Sequence, residues 1–283
     1  MSTDDTYTYE SPRPESGLRM DDYDYVLPET SIAQHPIEPR DSARLLVSLD
    51  PVARPEHHVV RDLPTILRPG DLLVVNETRV IPARLNLHKD SGGAVEVFLL
   101  ERAVHGSWLA LVKPSRKVAV GAQFRPGPGL VVDVGATTDG GQRIVRLLGD
   151  DGAPLDANEE SSMLETYGAA PLPPYITAPL ADAGRYQTTY ARVAGSAAAP
   201  TAGLHFTPAL MSDLEARGVQ IAKVDLRVGL DTFRPVTADR PEEHDIHSEW
   251  FSVPAPTWDA VVDTRAAGGR VVRSEERRVG KEC

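Results

Sequence analysis

The 283-residue chain has a single cysteine, and it is the last residue, Cys283. A disulfide framework and a cysteine-ligated metal centre are therefore excluded, and a reducing cytoplasm suits the composition. No apolar run approaches the ~20 residues of a membrane span, and the N-terminal MSTDDTYTYESPRPESGLRMDDYDY lacks the apolar core of a signal peptide. The expectation is a cytoplasmic protein with no membrane partner. Positive charge is also short: the formal net charge is −11. Eight acids against two bases fall within residues 1–29, so the remainder is only mildly acidic and is free to present a local basic face to phosphates. There is no GxxxxGK[ST], no GxGxxG after a strand, no HExxH and no GxSxG, which speaks against the common nucleotide hydrolases, dehydrogenases, zinc proteases and serine hydrolases. No internal repeat is found.

What is present reads as a mixed α/β (α+β) chain with 41% hydrophobic residues, enough for a substantial core. Residues 1–22 are acidic and poor in large apolar side chains, the composition of a disordered tail. From 23 to 63 short apolar runs alternate with prolines. Between 64 and 153 follow DLLVV (71–75), VIPARLNL (80–87), AVEVFLL (94–100), SWLALV (107–112), LVVDV (130–134) and RIVRLL (143–148), separated by the glycine turns Gly92-Gly93, Arg125–Gly129 and Asp139–Gly141. That succession predicts a small antiparallel β-barrel inserted into the chain. In 154–272 strands alternate with helices. Thr207-Pro208 caps a helix with Leu210, Met211 and Leu214 on one stripe, ended by Gly218, and 219–228 is a strand. A second helix is expected over Trp258–Ala267, capped by Thr257, and then a strand from Arg270. Residues 273–283, RSEERRVGKEC, carry seven charges in eleven positions and read as a tail foreign to the fold.

Four polar clusters are candidates for chemistry. Asn76, Thr78, Arg79 and Arg84 lie between two apolar strand runs, either as a polar turn with solvated arginines or as a clamp for phosphate or carboxylate. Lys113 and Arg116 end the strand SWLALV, as an ordinary solvated strand end or a second anion contact. In Ala199–Phe206 small residues and Gly203 let backbone amides approach an anion ahead of a helix N-terminus. There His205 is either a structural histidine or a general acid/base. Glu243–Glu249 contains His244, His247 and Glu249 at spacings that invite a metal, yet without cysteine or HExxH an acid/base role is the better reading, and no metal is expected. The tyrosines of Arg185–Tyr190 are candidates for stacking on bases.

Taken together and in order, YVLPETSIAQHPIEPRDSARLL, DLLVVNETRVIPARL, GGAVEVFLLER, ALVKPSRK, PLPPYI, RYQTTYAR, APTAGLHF, GVQIAKVDLRVGLDTFRPV and HDIHSEWFSVP resemble the S-adenosylmethionine:tRNA ribosyltransferase-isomerase family of queuosine biosynthesis. The resemblance implies a distorted α/β hybrid barrel, residues 23–63 and 154–272, interrupted by the antiparallel barrel of 64–153. It implies S-adenosylmethionine as a ribosyl donor, with no metal, and a tRNA carrying a GUN-type anticodon with an aminomethyl-7-deazaguanine base at the wobble position. The product is epoxyqueuosine, with adenine and methionine released, and a monomer is expected. His205, His247 and Glu249 are then the catalytic candidates. Asn76, Thr78, Arg79, Arg84, Lys113, Arg116, Tyr175, Tyr186, Gln187, Thr201, Gly203, Thr232, Phe233 and His244 are the substrate-binding ones.

Three departures from the family pattern stand out. Glu77 replaces a second asparagine, and Leu230-Asp231 interrupts a Gly-Ala-Gly-Thr-Phe pattern, which bears on substrate choice. Beyond Val272 the family's Gly-Thr-Thr turn, arginine-bearing helix and Asn-Phe-His-Leu-Pro motif are absent, so a truncated, inactive copy is one expectation. A paralogue acting on a small molecule or another RNA, and a non-catalytic RNA-binding module, are the alternatives.

Overall fold

Prolines at 28, 36 and 39 keep the first stretch out of long helix, and only one-turn 3-10 helices form, at Met20–Tyr23, Glu29–Ser31 and Arg40–Ser42. The computed structural model describes residues 17–50, 52–103, 106–138, 141–229, 236–244 and 249–275. Strand β1 (Arg44–Val47) pairs antiparallel with β2 (Glu56–Val59). A single helical turn, α1 (Leu63–Ile66), leads into β3 (Leu72–Asn76). Leu72, Leu73 and Val75 of β3 are almost wholly buried, as a strand covered on both faces requires.

After the short β4 (Thr78–Val80) comes a run of antiparallel neighbours: β5 (Arg84–His88), β6 (Ala94–Arg102), β7 (Trp108–Lys113), β8 (Ala122–Gly127), β9 (Leu130–Thr137) and β10 (Arg143–Leu148). Helix α2 (Ala157–Tyr167) follows and ends in the two-residue β11 (Gly168–Ala169). The sheet order is β11-β5-β6-β7-β10-β9-β8. It curls around a core that includes Leu85, Val97, Leu99, Phe124, Leu130, Val132, Val145 and Leu164.

The closed small barrel expected for this region is not what the described residues show. β8 and β5 approach each other, but no ladder joins them, and a cleft of about 160 Å³ lined by Asn86, Leu87, His88, Phe124, Arg125 and Pro126 lies between. Pro126 has no N–H to donate across that seam. Tyr167 of α2 packs on Gly127 and donates its hydroxyl to the Pro128 carbonyl at 2.8 Å. The Arg125–Gly129 stretch, expected to be only a turn, therefore supplies the end of β8. Helix α2 was not anticipated at all.

The remaining layer is α/β. β12 (Val193–Ser196) runs parallel to β4. Helix α3 (Pro208–Ala216) is capped by the Thr207 hydroxyl, which accepts from Leu210 N–H at 3.1 Å, and Gly218 leaves it at φ +82°. β13 (Gln220–Leu226), β14 (Phe251–Ser252), α4 (Ala255–Ala266) and β15 (Val271–Arg273) complete a second sheet of order β14-β13-β3-β15. β13 and β15 both run parallel to β3, and α4 connects them. Here α4 starts at Ala255 behind Pro254, two residues before the expected cap. Thr257 lies inside the helix and donates to the Lys223 carbonyl at 2.7 Å instead. Pairing with β3 continues past Val272, because Arg273 faces Val74 and the Ser274 N–H donates to the Val74 carbonyl at 3.0 Å. Among the described residues no helix is long and apolar enough to cross a membrane.

Candidate functional site

The segment between β12 and α3 is built from small residues, and the site forms around it. Ala197, Ala198 and Ala199 are buried, and Ser196 is fixed by donating to the Ala198 carbonyl at 2.7 Å while accepting from Val228 N–H at 3.0 Å. A 3-10 turn, Ala202–His205, then leads to Phe206 and the Thr207 cap. Gly203 is buried and admits no side chain, because an added Cβ would collide with the Tyr190 hydroxyl and lie 3.0 Å from Thr188 Cγ2. The backbone amides of Gly203 and Ala202 both donate to the Glu275 carboxylate, at 2.9 and 3.3 Å. Two adjacent N–H groups converging on one carboxylate make this turn an anion cradle. Tyr190 stands over it: burial raises its phenol, and the Glu275 charge adds to the effect.

His205 closes the turn, half-buried. Burial lowers its pKa below the ordinary histidine value, and the charges of Arg185 and Arg40 act the same way, against a hydrogen bond to the Arg40 backbone carbonyl that favours the protonated ring. The neutral form of the imidazole is thus favoured close to two guanidinium groups. Arg40 donates to the carbonyls of Gln187, Gly184 and Leu204, and Arg185 pairs with Glu38 through Nε at 2.6 Å. Asp41, beside Arg40, accepts from the Thr207 hydroxyl at 3.2 Å and so ties this segment to the head of α3.

The structure brings Thr201, Gly203, His205, Tyr186 and Gln187 into one neighbourhood. Gln187 is locked along β4, its amide donating to the Val80 carbonyl at 2.8 Å and accepting from Val80 N–H at 3.0 Å. Tyr186 is buried, its phenol pushed up to about 12 by that burial, against a smaller, opposing effect of the Ala199 backbone. Tyr175 itself is exposed.

The other substrate-binding candidates are spread along the strands. Asn76 is buried and bridges β3 to β13, donating to the Leu226 carbonyl at 2.8 Å and accepting from Leu226 and Thr78 N–H. Thr78 is fully buried. Arg79 reaches Glu165 at 2.8 Å, while Arg84 and Lys113 flank Glu96 at 3.7 and 4.0 Å. Arg116 is exposed on the turn after β7. Glu249 accepts from Gly229 N–H at 3.1 Å, and His244 ends a 3-10 turn. His247, Thr232, Phe233, Leu230 and Asp231 lie outside the described residues. Among the described residues no group of three His, Cys, Asp or Glu is placed to hold a metal.

Glu77 has a structural explanation. It is buried, with Arg192 Nε on Oε2 at 3.0 Å, a second close contact from the same guanidinium, and Lys223 at 4.0 Å. Its charge is spent on those neighbours.

Arg40, Arg185 and Asp41 were missed in the sequence reading, although they sit within stretches quoted for the resemblance. Nothing local distinguishes them, since the contacts that bring them to the site reach more than a hundred residues along the chain.

The family described as Queuosine biosynthesis protein matches residues 20–274. Among similar proteins, the S-adenosylmethionine:tRNA ribosyltransferase-isomerase of Moorella thermoacetica is 48% identical over 257 residues, covering 90% of this chain and 73% of that one. The protein of the same name from Acaryochloris marina is 46% identical over 269 residues, 92% of this chain and 71% of that one. The crystal structure of S-adenosylmethionine tRNA ribosyltransferase from Thermotoga maritima aligns at 32% identity and a TM-score of 0.38, covering 89% of this chain and 68% of that one. With a match that runs from the first 3-10 turn to the end of β15, the chain belongs to the queuosine biosynthesis protein family.

Proposed function

We propose that the chain is an S-adenosylmethionine:tRNA ribosyltransferase-isomerase whose donor site is the turn Thr201–Phe206. The observation that carries the reading is the cradle itself: two backbone amides hold a carboxylate two residues from an imidazole kept neutral. S-adenosylmethionine presents a carboxylate on its methionine arm, and the cradle would take that group in place of Glu275. A sulfonium acidifies the neighbouring sugar C5′ position, and a neutral imidazole accepts that proton as adenine departs. The tRNA's aminomethyl-deazaguanine, at the wobble position of a GUN-type anticodon, then receives the rearranged sugar. Its amine must be neutral to attack, a task for which Glu249 and His247 remain candidates. Tyr175 and Tyr186 are the aromatic candidates near the base, and Arg79, Arg84, Lys113 and Arg116 the phosphate contacts.

In this reading the catalytic layer is the α/β part, residues 23–63 and 154–272 with β3 and β4 added and α2 and β11 removed, a hybrid barrel into which the half-barrel from Arg84 to Ala169 is inserted. The protein would act as a monomer in the cytoplasm.

The test is adenine release from S-adenosylmethionine in the presence of tRNA bearing the deazaguanine precursor. The chain should release adenine only with both substrates, and His205→Gln should reduce the rate by about 10²–10⁴, the span of a lost general base. Release that is indifferent to His205, or that proceeds equally with the free nucleoside, would refute the assignment.

A further inference from the structure

The guanidinium of Arg40 is where three segments of the site meet. Nη1 donates to the carbonyls of Gln187 at 2.6 Å and Leu204 at 3.4 Å, and Nη2 donates to the carbonyl of Gly184 at 3.0 Å. One acceptor lies in the His205 turn and two in the loop that carries Tyr186 and Gln187. A planar fork with donors at fixed angles spans such a set, which a single ammonium cannot. The acceptors are neutral carbonyls, so the cation's charge remains effective nearby; Glu38 and Asp182 are the acids whose charge acts on it. Arg40 also presents its own backbone carbonyl to the imidazole of His205. A ring nitrogen that donates there leaves the other nitrogen with its lone pair.

We propose that Arg40 is a positioning residue for His205: its guanidinium clamps the His205 turn to the Tyr186–Gln187 loop and sets a cation near the imidazole. The inference rests on the reading of His205 as the proton acceptor of the donor site. Two further observations agree with it. The Arg40–Ser42 turn is held on the opposite side by Asp41, whose carboxylate takes the Thr207 hydroxyl at 3.2 Å and Arg61 Nη2 at 3.3 Å, so the clamp has a fixed base. The charged groups that act on His205 are Arg40 itself, from the 3-10 turn before β1, and Arg185, from the turn before Gln187. Both cations favour the neutral ring, the form able to accept a proton.

The experiment compares Arg40→Lys and Arg40→Met in the whole chain. The readouts are adenine release, resolved into kcat and KM for S-adenosylmethionine, and the titration of the His205 ring followed by NMR, assigned by the resonance missing in His205→Gln. Arg40→Lys keeps the charge and loses the fork. Its His205 titration should stay near the wild-type midpoint while kcat falls about tenfold to a hundredfold, the range of a small misplacement of a catalytic group. Arg40→Met loses both, so kcat should fall further and the His205 midpoint should rise, with KM changed by less than about threefold.

Wild-type kcat in Arg40→Lys overturns the clamp, and it decides the matter if Arg40→Met does not fold. An unmoved His205 midpoint in a folded Arg40→Met overturns the coupling. Should His205→Gln leave adenine release intact, the donor-site reading fails; the NMR titration still judges whether Arg40 governs the state of His205.

Discussion

The role proposed for His205 needs a ring that is unprotonated at the working pH, and its burial favours that form. Its folded pKa lies below the ordinary value of 6.5, through burial first and the nearby guanidinium groups second. The neutral fraction therefore persists as pH falls below 6.5, and the acidic limb of the kcat profile should have its midpoint under that value. A limb above 6.5 would contradict the assignment. The same sign applies to stability: an unfolded chain takes up this proton before the folded one does, so the stability associated with neutral His205 is complete above 6.5 and declines as the medium is acidified. Asp71 offers a second and lower window. Its carboxyl is drawn down to about 2, chiefly by the side-chain hydrogen bond from Arg270, whose Nε reaches Oδ1 at 3.0 Å. Its contribution is present above the unfolded value near 4 and is lost as pH falls toward 2. Allowing for a guanidinium that is partly in solvent, this is worth about 1–2 kcal/mol. Urea midpoints for the wild type and Asp71→Asn should differ at pH 7 and converge near pH 2. At this scale the sequence was uneven in what it disclosed. Gly203 and His205 stood out because small residues, a glycine and a cap follow one another. Arg40 did not, because an arginine in a proline-rich stretch carries no sign of a carbonyl 147 positions further on.

Helices α3 and α2 show which elements can be read and which cannot. α3 has a Thr-Pro start, an apolar stripe of Leu210, Met211 and Leu214, and a glycine after its end, so period and punctuation agree. α2 is polar along most of its length and buries only Glu160 and Leu164. Its sign was the capping box at Asp156 and Glu159, where the Asp156 carboxylate accepts from Asn158 and Glu159 N–H at 2.8 and 2.9 Å. Glu160, the buried acid of α2, binds the Trp108 indole N–H and Arg102, the latter at 2.8 Å. The helix is therefore pinned to the half-barrel by polar contacts that no hydrophobic period reveals. Asp156→Ala should lower stability by about 1 kcal/mol, read as a shift in the urea midpoint at unchanged slope. β8 was hidden for a different reason: Pro126 and Pro128 look like loop punctuation, and edge strands tolerate proline where central ones do not.

Over the whole molecule, the arrangement of charge decides more than the net value of −11. Of the four basic candidates, Arg79 on β4 is held by Glu165, and Arg84 and Lys113 on the half-barrel share Glu96. Arg116 is exposed on the turn after β7. Binding of tRNA should weaken linearly in the logarithm of salt concentration, and Arg116→Ala should reduce the slope by about 0.7–0.9 if that residue meets one phosphate. An unchanged slope would remove it from the interface. The seat of β3 at the middle of its sheet has a consequence in time. One partner strand, β13, faces it across a separation of 150 residues, and the other, β15, comes later still. Closing so long a loop from open coil is entropically unfavourable. The half-barrel, however, is finished by Ala169, which lies against Arg84 and draws the two ends of the intervening chain together. During synthesis from the N-terminus it is able to fold while the neighbours of β3 have yet to be made. Pulse-labelled hydrogen exchange should then find the amides of β6, β7, β9 and β10 protected before those of β3, and the Thr201–Phe206 turn, which hangs between β12 and α3, assembled among the last.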